Sequence, residues 1–342
     1  MKASLIAPNS PRWTEVLGRC RHDFYHLPGY VQVSAREDGG DACALLVEED
    51  GRELLLPLVM RPLSDGLADA TSPYGYPGPI TSADADETWI ERALSVGERY
   101  LAEQDTVTLF VRLHPLLNPS PPEGVGTVIQ HGDTVTLDLT LSEEEQWRGI
   151  RRNHRQQIRQ AREAGYQVFV DDGYRHYEDF QRLYLDTMRR LEASDYYLFD
   201  GEYFEGLRDA LEERLHLACA TISGEVAAAA LFVETDCIVQ MHLTGHAERF
   251  AKDQPMKLVF DHVRAWSNEH GATALHLGGG RGGAEDSLLH FKAGFSKIRQ
   301  PFYTLRSVVH PDRYLRHMAT VPDADPDDLS GPFPAYHRPE AG

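Results

Sequence analysis

The sequence predicts an α+β fold made of two copies of one unit, each a mostly antiparallel sheet with helices packed against it. The chain has 342 residues, more than the roughly 250–300 residues that a single hydrophobic core usually serves. Hydrophobic residues make up 42% and charged residues 25%, as in ordinary globular proteins. The order hairpin, connector, helix and strand occurs twice along the chain, which is typical of a duplicated α+β unit.

The first copy begins with a hairpin over residues 42–61, where two apolar runs meet across a Glu-Asp-Gly turn. A loop rich in proline and glycine follows over 72–79, because these residues disfavour regular elements. Apolar residues at helical spacing over 90–101 predict a helix. Strands are predicted over 106–112 and 134–139.

The second copy follows a helix predicted over 143–164 and repeats the same order. Its hairpin turns at Gly224, and its helix begins near Pro255 and ends at Gly271. The remaining predicted elements are helices over 177–191 and 203–215 and strands over 167–171, 236–244, 273–277 and 302–309.

These elements predict two domains and a tail. Five prolines and several acidic residues follow His317, and such a composition at a terminus predicts disorder. The expected division is a first domain over 1–145 completed by 300–316, a second domain over 146–299, and a disordered tail over 317–342.

The charge balance restricts the class of partner. The chain carries 34 Lys+Arg against 53 Asp+Glu, a formal net charge of -19. This acidity argues against a protein whose whole surface binds nucleic acid, although one local basic site remains possible. No apolar run is long enough for a signal peptide or a membrane span, so we expect a cytoplasmic protein. Neither the cysteines nor the histidines have metal-ligand spacing, so we expect no metal.

The helix over 143–164 is unusually basic. Five arginines spaced 4, 3, 4 and 3 residues apart fall within a stripe of about 80° on a helix. They are Arg148, Arg152, Arg155, Arg159 and Arg162. Arginine forks bind phosphate oxygens bidentately, so the stripe predicts contact with phosphate or RNA. The alternative is a solvated helix face, or one balanced by acidic residues of the other domain.

A second candidate is the glycine-rich segment around Gly279, Gly280 and Arg281, which follows a predicted strand and precedes a helix. Such a position exposes backbone N–H groups that suit an anion. Phe291 and Lys292 come shortly after, and a lone lysine among apolar neighbours suits an oxyanion or phosphate partner. The alternatives are a flexible turn and a surface lysine with its head in solvent.

A third candidate is the Pro/Gly/Tyr loop over 73–79. Tyr74 and Tyr76 stand on this rigid loop, and aromatic side chains in such a position suit the wall of a ligand site. A purely structural packing role is the alternative.

Several motifs resemble the FemABX family of aminoacyl-tRNA-dependent transferases and the related FemAB-like acyltransferases of the GNAT superfamily. They are the R-R-N-H-R-x-x-I-R-x-A-R-E-A-G helix, D-T-M-R-R with Y-Y, the L-G-G-G run and F-K-x-G-F. The resemblance covers roughly residues 20–310. It implies two GNAT-like domains with a cleft between them. It also implies transfer of an aminoacyl group from charged tRNA to an amine, without a metal.

The resemblance also assigns individual residues. The family's Phe-Lys pair corresponds to Phe291 and Lys292, where the lysine stabilises charge in the reaction, and a family arginine corresponds to Arg190. Some members use a UDP-linked muramoyl peptide as acceptor, and others act on peptides in antibiotic biosynthesis. The chain lacks sustained heptads, so we expect no coiled-coil arm.

The predicted function is therefore transfer from aminoacyl-tRNA to a peptide or small-molecule amine, with the basic helix holding the tRNA and no cofactor. The rival enzyme is an acyl-CoA-dependent N-acyltransferase. Such enzymes usually bind the CoA pyrophosphate at [RQ]-x-x-G-x-[GA], and the matching segment 248–255 contains no glycine. A third possibility is a non-catalytic RNA-binding relative.

Overall fold

The computed structural model describes residues 1–64, 66–322 and 324–337, and it divides the chain into two units. Unit 1 comprises Met1–His131 together with Pro301–Gly342, and unit 2 comprises Gly132–Gln300. The first boundary thus lies earlier than residue 145, because the strand that crosses it already pairs within unit 2 from Thr134 onward.

Unit 1 begins with a series of strands and α-helices within the first 112 residues. They are β1 (Lys2–Ile6), α1 (Pro11–Leu17), α2 (Pro28–Glu37), β2 (Asp41–Glu49), β3 (Arg52–Pro62), β4 (Ala68–Thr71), β5 (Ile80–Thr81), α3 (Glu87–Glu103) and β6 (Thr106–Arg112).

Unit 2 follows, starting within the long strand β7. Its elements are β7 (Thr127–Asp138), α4 (Glu143–Gly149), α5 (Arg152–Glu163), β8 (Gln167–Val170), α6 (Tyr177–Arg190), α7 (Gly201–Leu211), β9 (Leu215–Ile222), β10 (Glu225–Thr235), β11 (Ile238–His246), α8 (Pro255–Glu269), β12 (Ala274–Gly279) and α9 (Ser287–Lys292). The chain then returns to unit 1 with β13 (Arg299–Val308) and α10 (Pro311–Met318).

The two units have the same strand order. In unit 1 the order is β1-β2-β3-β4-β6-β13, and in unit 2 it is β8-β9-β10-β11-β12-β7. Neighbouring strands are antiparallel except for one parallel pair in each unit, β4 with β6 and β11 with β12. The predicted α+β fold with mostly antiparallel sheets is confirmed. In each unit the final strand in this order is not adjacent in sequence to its neighbour in the sheet. In unit 1 this strand is β13, which comes late in the chain, and in unit 2 it is β7, which precedes the other strands of the unit.

Helix α3 shows how the sequence builds the core of unit 1. The Asp86 carboxylate accepts a hydrogen bond from the Trp89 N–H at 2.8 Å and caps the helix. Trp89, Leu94 and Leu101 are buried on the face that packs against the sheet. A Cβ on Gly97 would lie 2.6 Å from Leu45 Cδ2, so glycine at this position allows the helix to approach the sheet closely.

In unit 2 the central strand β10 is buried on both faces. Its residues Ala228, Ala230 and Phe232 pack into the cluster that contains Val259 and Val263 of α8, and the residues between them are equally buried. A continuous apolar run rather than alternation is what a strand covered on both faces requires. Within the described part of the chain, no helix has both the length and the hydrophobicity needed to cross a membrane.

The helix predicted over 143–164 is two helices. The break falls at Ile150 and Arg151, whose backbone is extended (ψ 132° and 140°). Ile150 is buried in the core, and the Arg151 N–H donates to the Gly294 carbonyl at 2.7 Å. These tertiary contacts, together with the low helix propensity of Gly149 at the end of α4, interrupt the helix.

The described residues 317–322 and 324–337 belong to the predicted disordered tail, and two of them make specific contacts with unit 1. The Tyr336 hydroxyl donates to Asp69 Oδ1 at 2.7 Å, and His337 Nε2 lies 2.8 Å from Asp69 Oδ2. The Asp69 carboxylate is fully buried, so these partners satisfy a group that would otherwise be costly to bury. Composition could not reveal such specific contacts. Residues 338–342, which complete the predicted tail, lie outside the described residues.

Candidate active site at the parallel strand pair of unit 2

The candidate site lies at the carboxyl ends of β11 and β12. The two strands pair only from Ile238 with Ala274 to Gln240 with His276, although β11 continues to His246 and β12 to Gly279. In sheets with parallel strands, ligands bind where adjacent strands separate at their carboxyl ends. This position therefore suits a ligand site.

Lys292 reaches this point from α9. Its ammonium donates a hydrogen bond to the carbonyl oxygen of Gly279 at 2.7 Å, and its side chain is half-buried. Burial lowers the pKa of Lys292 to about 8, with Asp286 acting weakly in the opposite direction. The group is thus a cation at neutral pH that loses its charge more easily than an ordinary lysine.

Asp286 holds the glycine-rich segment and α9 together. Its Oδ1 accepts from the Leu289 N–H at 2.9 Å and caps the helix, while Oδ2 accepts from the Arg281 N–H at 3.1 Å. Burial alone would raise the pKa of Asp286, but these hydrogen bonds and the Arg281 guanidinium hold it below its usual value. Asp286 is therefore a carboxylate that fixes the position of the segment before Lys292.

The glycines before α9 allow close packing. A Cβ on Gly279 would lie 2.9 Å from the Asp133 carbonyl oxygen, and one on Gly280 would overlap the Ala284 carbonyl. Gly282 has φ 59°, in the left-handed region. Substitution of these glycines would displace the backbone that carries the acceptor for Lys292.

Arg190, at the end of α6, lies at the same end of unit 2. Its Nη2 donates to His246 Nε2 at 3.1 Å, and His246 is the last residue of β11. Burial, and then the charge of Arg190, lowers the pKa of His246, consistent with a neutral ring that accepts this bond. Arg281 Nη1 donates to the Leu191 carbonyl at 3.3 Å. The structure therefore brings Arg190, Gly279, Arg281 and Lys292 together.

Sequence reasoning missed His246 and Asp286. Both have recognisable positions: a polar residue at the carboxyl end of a strand beside a parallel neighbour, and an aspartate just before a short helix. His246 could not be assigned without knowing which two strands are parallel, whereas the capping position of Asp286 is a local feature of the sequence.

Phe291 anchors α9 in the core. Its ring centroid lies 5.2 Å from that of Phe260 and 5.5 Å from that of Phe295, and its carbonyl accepts a hydrogen bond from His154 Nε2 at 3.0 Å. A Cβ on Gly294 would overlap the His154 ring. The F-K-x-G-F motif thus consists of two core phenylalanines and a close-packing glycine around the lysine.

Two arginines of the stripe are engaged within unit 2. Arg162 Nη2 forms an ion pair of 2.6 Å with the buried carboxylate of Asp261. Arg155 Nη1 donates to the carbonyls of Trp147 and Arg148 at 3.2 and 3.0 Å, which tie the end of α4 to α5. Part of the stripe therefore has a structural role. The alternative was a helix face balanced by acidic residues of the other domain, but the carboxylate that pairs with Arg162 comes from the same unit.

The other three arginines are exposed. Arg148 pairs with Glu144 at 2.7 Å in a solvent-exposed contact, which contributes little energy. The Arg159 guanidinium lies 5.7 Å from the centroid of the Trp147 ring. Among the described residues, Arg152 has no ion-pair partner. These three guanidinium groups are available to phosphate.

The predicted tyrosines belong to unit 1. The Tyr74 N–H donates to Ser34 Oγ at 3.1 Å, and the Tyr76 ring packs edge-on against Phe302 with centroids 5.2 Å apart. Between them, Gly75 has φ 101° and lies against the Tyr25 ring, where a Cβ would overlap it. Both tyrosines are half-buried, so each combines packing contacts with exposed surface.

Comparison with known proteins agrees with this architecture. Residues 148–292 match the family model of the acetyltransferase (GNAT) domain. None of the curated proteins matches the chain in sequence. The crystal structure of FemX is similar to this chain with a TM-score of 0.69 and 14% identity, covering 92% of this chain and 99% of FemX.

Two further structures share the fold. The structure of L-PGS from Bacillus licheniformis has a TM-score of 0.54 at 14% identity and covers 87% of this chain and 92% of its own. The C-terminal domain of an Agrobacterium fabrum protein named for lysylphosphatidylglycerol synthetase has a TM-score of 0.57 at 13% identity, covering 90% and 93% of the two chains. The match of residues 148–292 to the acetyltransferase (GNAT) domain model supports an acyltransferase. Residues 148–292 are thus similar to a GNAT acetyltransferase domain, within a chain whose fold is similar to that of FemX.

Proposed function

We propose that the chain is an aminoacyltransferase that moves an aminoacyl group from aminoacyl-tRNA to the amine of a peptide or peptidoglycan-precursor-like acceptor. The observation that carries the proposal is Lys292, a half-buried lysine whose ammonium lies 2.7 Å from the Gly279 carbonyl oxygen where the parallel strands end. The fold shared with FemX supports it. So does the name of the Agrobacterium fabrum protein, lysylphosphatidylglycerol synthetase, which denotes a product that carries an aminoacyl group. The reaction would serve cell-wall or antibiotic biosynthesis.

In this reaction the acceptor nitrogen forms a bond to the ester carbonyl carbon, and the bond from that carbon to the tRNA ribose oxygen breaks. The ribose oxygen leaves with the proton that the amine loses. Negative charge develops on the carbonyl oxygen in the tetrahedral intermediate, and a fixed cation stabilises it. Lys292 would supply that cation. The ester is already activated, so the proposed reaction uses no cofactor.

The other residues would bind and position the substrates. Arg190 and Arg281 place two guanidinium groups at the carboxyl ends of β11 and β12, where an oxyanion of the substrate can pair with them. Phe291 holds the helix that carries Lys292. Tyr74 and Tyr76 would form a ligand wall in unit 1.

The tRNA would contact the exposed arginines Arg148, Arg152 and Arg159. Phosphate contacts of this kind are sensitive to salt and carry no sequence information. On a chain of net charge -19, such a local patch favours transient positioning of the donor over tight storage.

A second candidate is an acyl-CoA-dependent N-acyltransferase, which the match to the acetyltransferase domain family favours. The segment between β11 and α8 opposes it. This segment forms a 3₁₀ turn over Glu248–Asp253, and it lacks the glycines that let backbone N–H groups approach a pyrophosphate closely. The Asp253 carboxylate is held by the Tyr166 hydroxyl at 2.7 Å, so it is a fixed part of this turn.

The test uses purified protein, tRNA charged with a radiolabelled amino acid and a peptide carrying a free amine. We expect label to appear in the peptide and to be lost when RNase is added before the enzyme. If transfer instead proceeds from acyl-CoA and survives RNase, the CoA-dependent reaction is the correct one.

A further inference from the structure

Unit 1 contains an arginine for which the described residues provide no ion-pair partner. Arg112, the last residue of β6, is half-buried. Its Nη1 donates to the carbonyl oxygen of Ser72 at 2.9 Å, and its guanidinium lies 4.8 Å from the centroid of the Phe110 ring. Among residues 1–64, 66–322 and 324–337, no carboxylate lies within ion-pair distance of it. The guanidinium is thus held in place without a counter-charge.

A second cation lies close by on the same face. Thr304 on β13 is the direct cross-strand partner of Arg112, and Arg306 is the partner of Phe110, so these side chains share one face of the sheet. Arg306 is buried and donates to Thr304 Oγ1 at 3.3 Å and to the carbonyls of Leu329 and Gly331. Asp328 offsets part of its charge. Two arginines near each other with so little acidic compensation favour the binding of an anion from outside.

Aromatic rings border this position. Phe302 is two residues from Thr304, so it lies on the same face of β13. The Tyr76 ring packs edge-on against Phe302 at 5.2 Å between centroids, and the His131 ring lies 5.3 Å from Phe302. His131 Nε2 is 3.0 Å from Thr304 Oγ1. The charged group therefore has an apolar wall and hydrogen-bonding side chains beside it.

The donors that remain on Arg112 indicate the kind of anion. Arg112 Nη1 already donates to backbone carbonyls, so the Nε–H and Nη2–H groups remain to bind a ligand. These two donors on one side of the guanidinium match the two oxygens of a carboxylate. We propose that Arg112 binds the carboxylate of a small organic acid, whose apolar body contacts Phe302 and Tyr76. This site lies wholly within unit 1 and is independent of the lysine chemistry proposed for unit 2.

The experiment compares 4-fluorobenzoate with its neutral isostere 4-fluorobenzamide, each titrated with the full chain and followed by ¹⁹F NMR. We expect saturable binding of the acid and at least about tenfold weaker binding of the amide, because a charge-assisted bidentate pair is lost. Equal binding of the two, or no saturable binding of the acid, overturns the proposal. Inorganic phosphate and acetate are then compared as competitors of the acid. If phosphate displaces the acid at a lower concentration than acetate does, the choice of a carboxylate is overturned.

Variants locate the site. Arg112→Met should weaken binding of the acid by about tenfold or more, and Arg112→Lys, which keeps a charge but loses the planar fork, should weaken it by several-fold. The matched control is Arg36→Met, an exposed arginine on α2 of the same unit, which should bind as the unmodified chain does. Unchanged affinity in a folded Arg112 variant overturns the assignment. If neither variant folds, the comparison of acid with amide on the unmodified chain decides.

Discussion

Lys292 is the residue on which the proposed transfer depends. Lys292→Met keeps an unbranched side chain in a half-buried position but removes the cation 2.7 Å from the Gly279 carbonyl oxygen. We expect turnover to fall by on the order of 10²–10³, the typical cost of losing one group that stabilises an oxyanion. Single-turnover transfer from charged tRNA measures this.

The matched control is Lys297→Met, an exposed lysine of the same unit, which should leave turnover unchanged. Binding of tRNA to the Lys292 variant should be retained, because Lys292 is not part of the arginine stripe. A variant that turns over normally would remove Lys292 from the mechanism.

The charge of Lys292 also predicts a pH dependence. Burial lowers the pKa of Lys292 to about 8, so the ammonium predominates below that pH and the neutral amine above it. If the cation stabilises the intermediate, the rate of the chemical step should fall as the pH rises through about 8. Lys292→Arg keeps its charge over this range, so any activity that it retains should lack this fall. A wild-type rate that rises steadily through pH 9 would contradict the assigned role.

At the scale of elements, α5 carries both arginines that make structural contacts and arginines that are exposed. The test of tRNA binding can therefore change the exposed arginines alone. Arg152→Gln combined with Arg159→Gln removes two exposed guanidinium groups and leaves the Arg155 and Arg162 contacts intact. We expect weaker binding of tRNA and a shallower dependence of log K on log salt, by about one to two units of slope. Fluorescence anisotropy at several salt concentrations measures both quantities.

Arg36→Gln combined with Arg316→Gln is the control for this experiment, since both arginines are exposed on helices of unit 1. This variant has the same net charge as the double variant of α5. If the two variants have equal affinity for tRNA and equal salt dependence, the arginine stripe is only a solvated helix face.

Elements with strong local patterns were predicted closely. The hairpin over 42–61 appears as β2 and β3, the strand over 106–112 has the same bounds in the structure, and Pro255 begins α8 as expected. In each case the signal is local: a turn between apolar runs, or proline at the first helical position. Elements without such signals, such as β1 and α2, were not predicted.

Tertiary contacts determine the features that the local sequence patterns do not predict. The break at Ile150 depends on a core position and on the Gly294 carbonyl. The contact of Tyr336 in the tail depends on the buried carboxylate of Asp69. The candidate site divides in the same way. Gly279 and Lys292 are close in sequence, and sequence analysis places them together. Arg190 is linked to the glycine-rich segment because Arg281 donates to the carbonyl of the adjacent Leu191, a contact that only the fold creates.

At the scale of the whole molecule, the division into units predicts different behaviour for two fragments. Residues 132–300 contain every strand of unit 2 from Gly132 onward, so we expect this fragment to fold alone and unfold cooperatively. Residues 1–131 lack β13 and α10, so β6 loses its antiparallel neighbour and we expect no cooperative transition. Circular dichroism during thermal unfolding distinguishes them.

Adding residues 301–342 as a separate peptide to the fragment 1–131 provides the control. Recovery of a cooperative transition would show that the missing strand was the cause. A fragment 1–131 that unfolds cooperatively by itself would contradict the assignment of β13 to the fold of unit 1.

The late position of β13 has a consequence for synthesis on the ribosome. The first 131 residues emerge early, but their sheet is incomplete until the chain has been translated past Val308. At about 5–20 residues per second, this delay amounts to roughly ten seconds or more. Unit 2 is a single continuous stretch, so it can finish folding first. Throughout that interval β6 has an unpaired edge, which makes nascent unit 1 the part of the protein that most needs a chaperone.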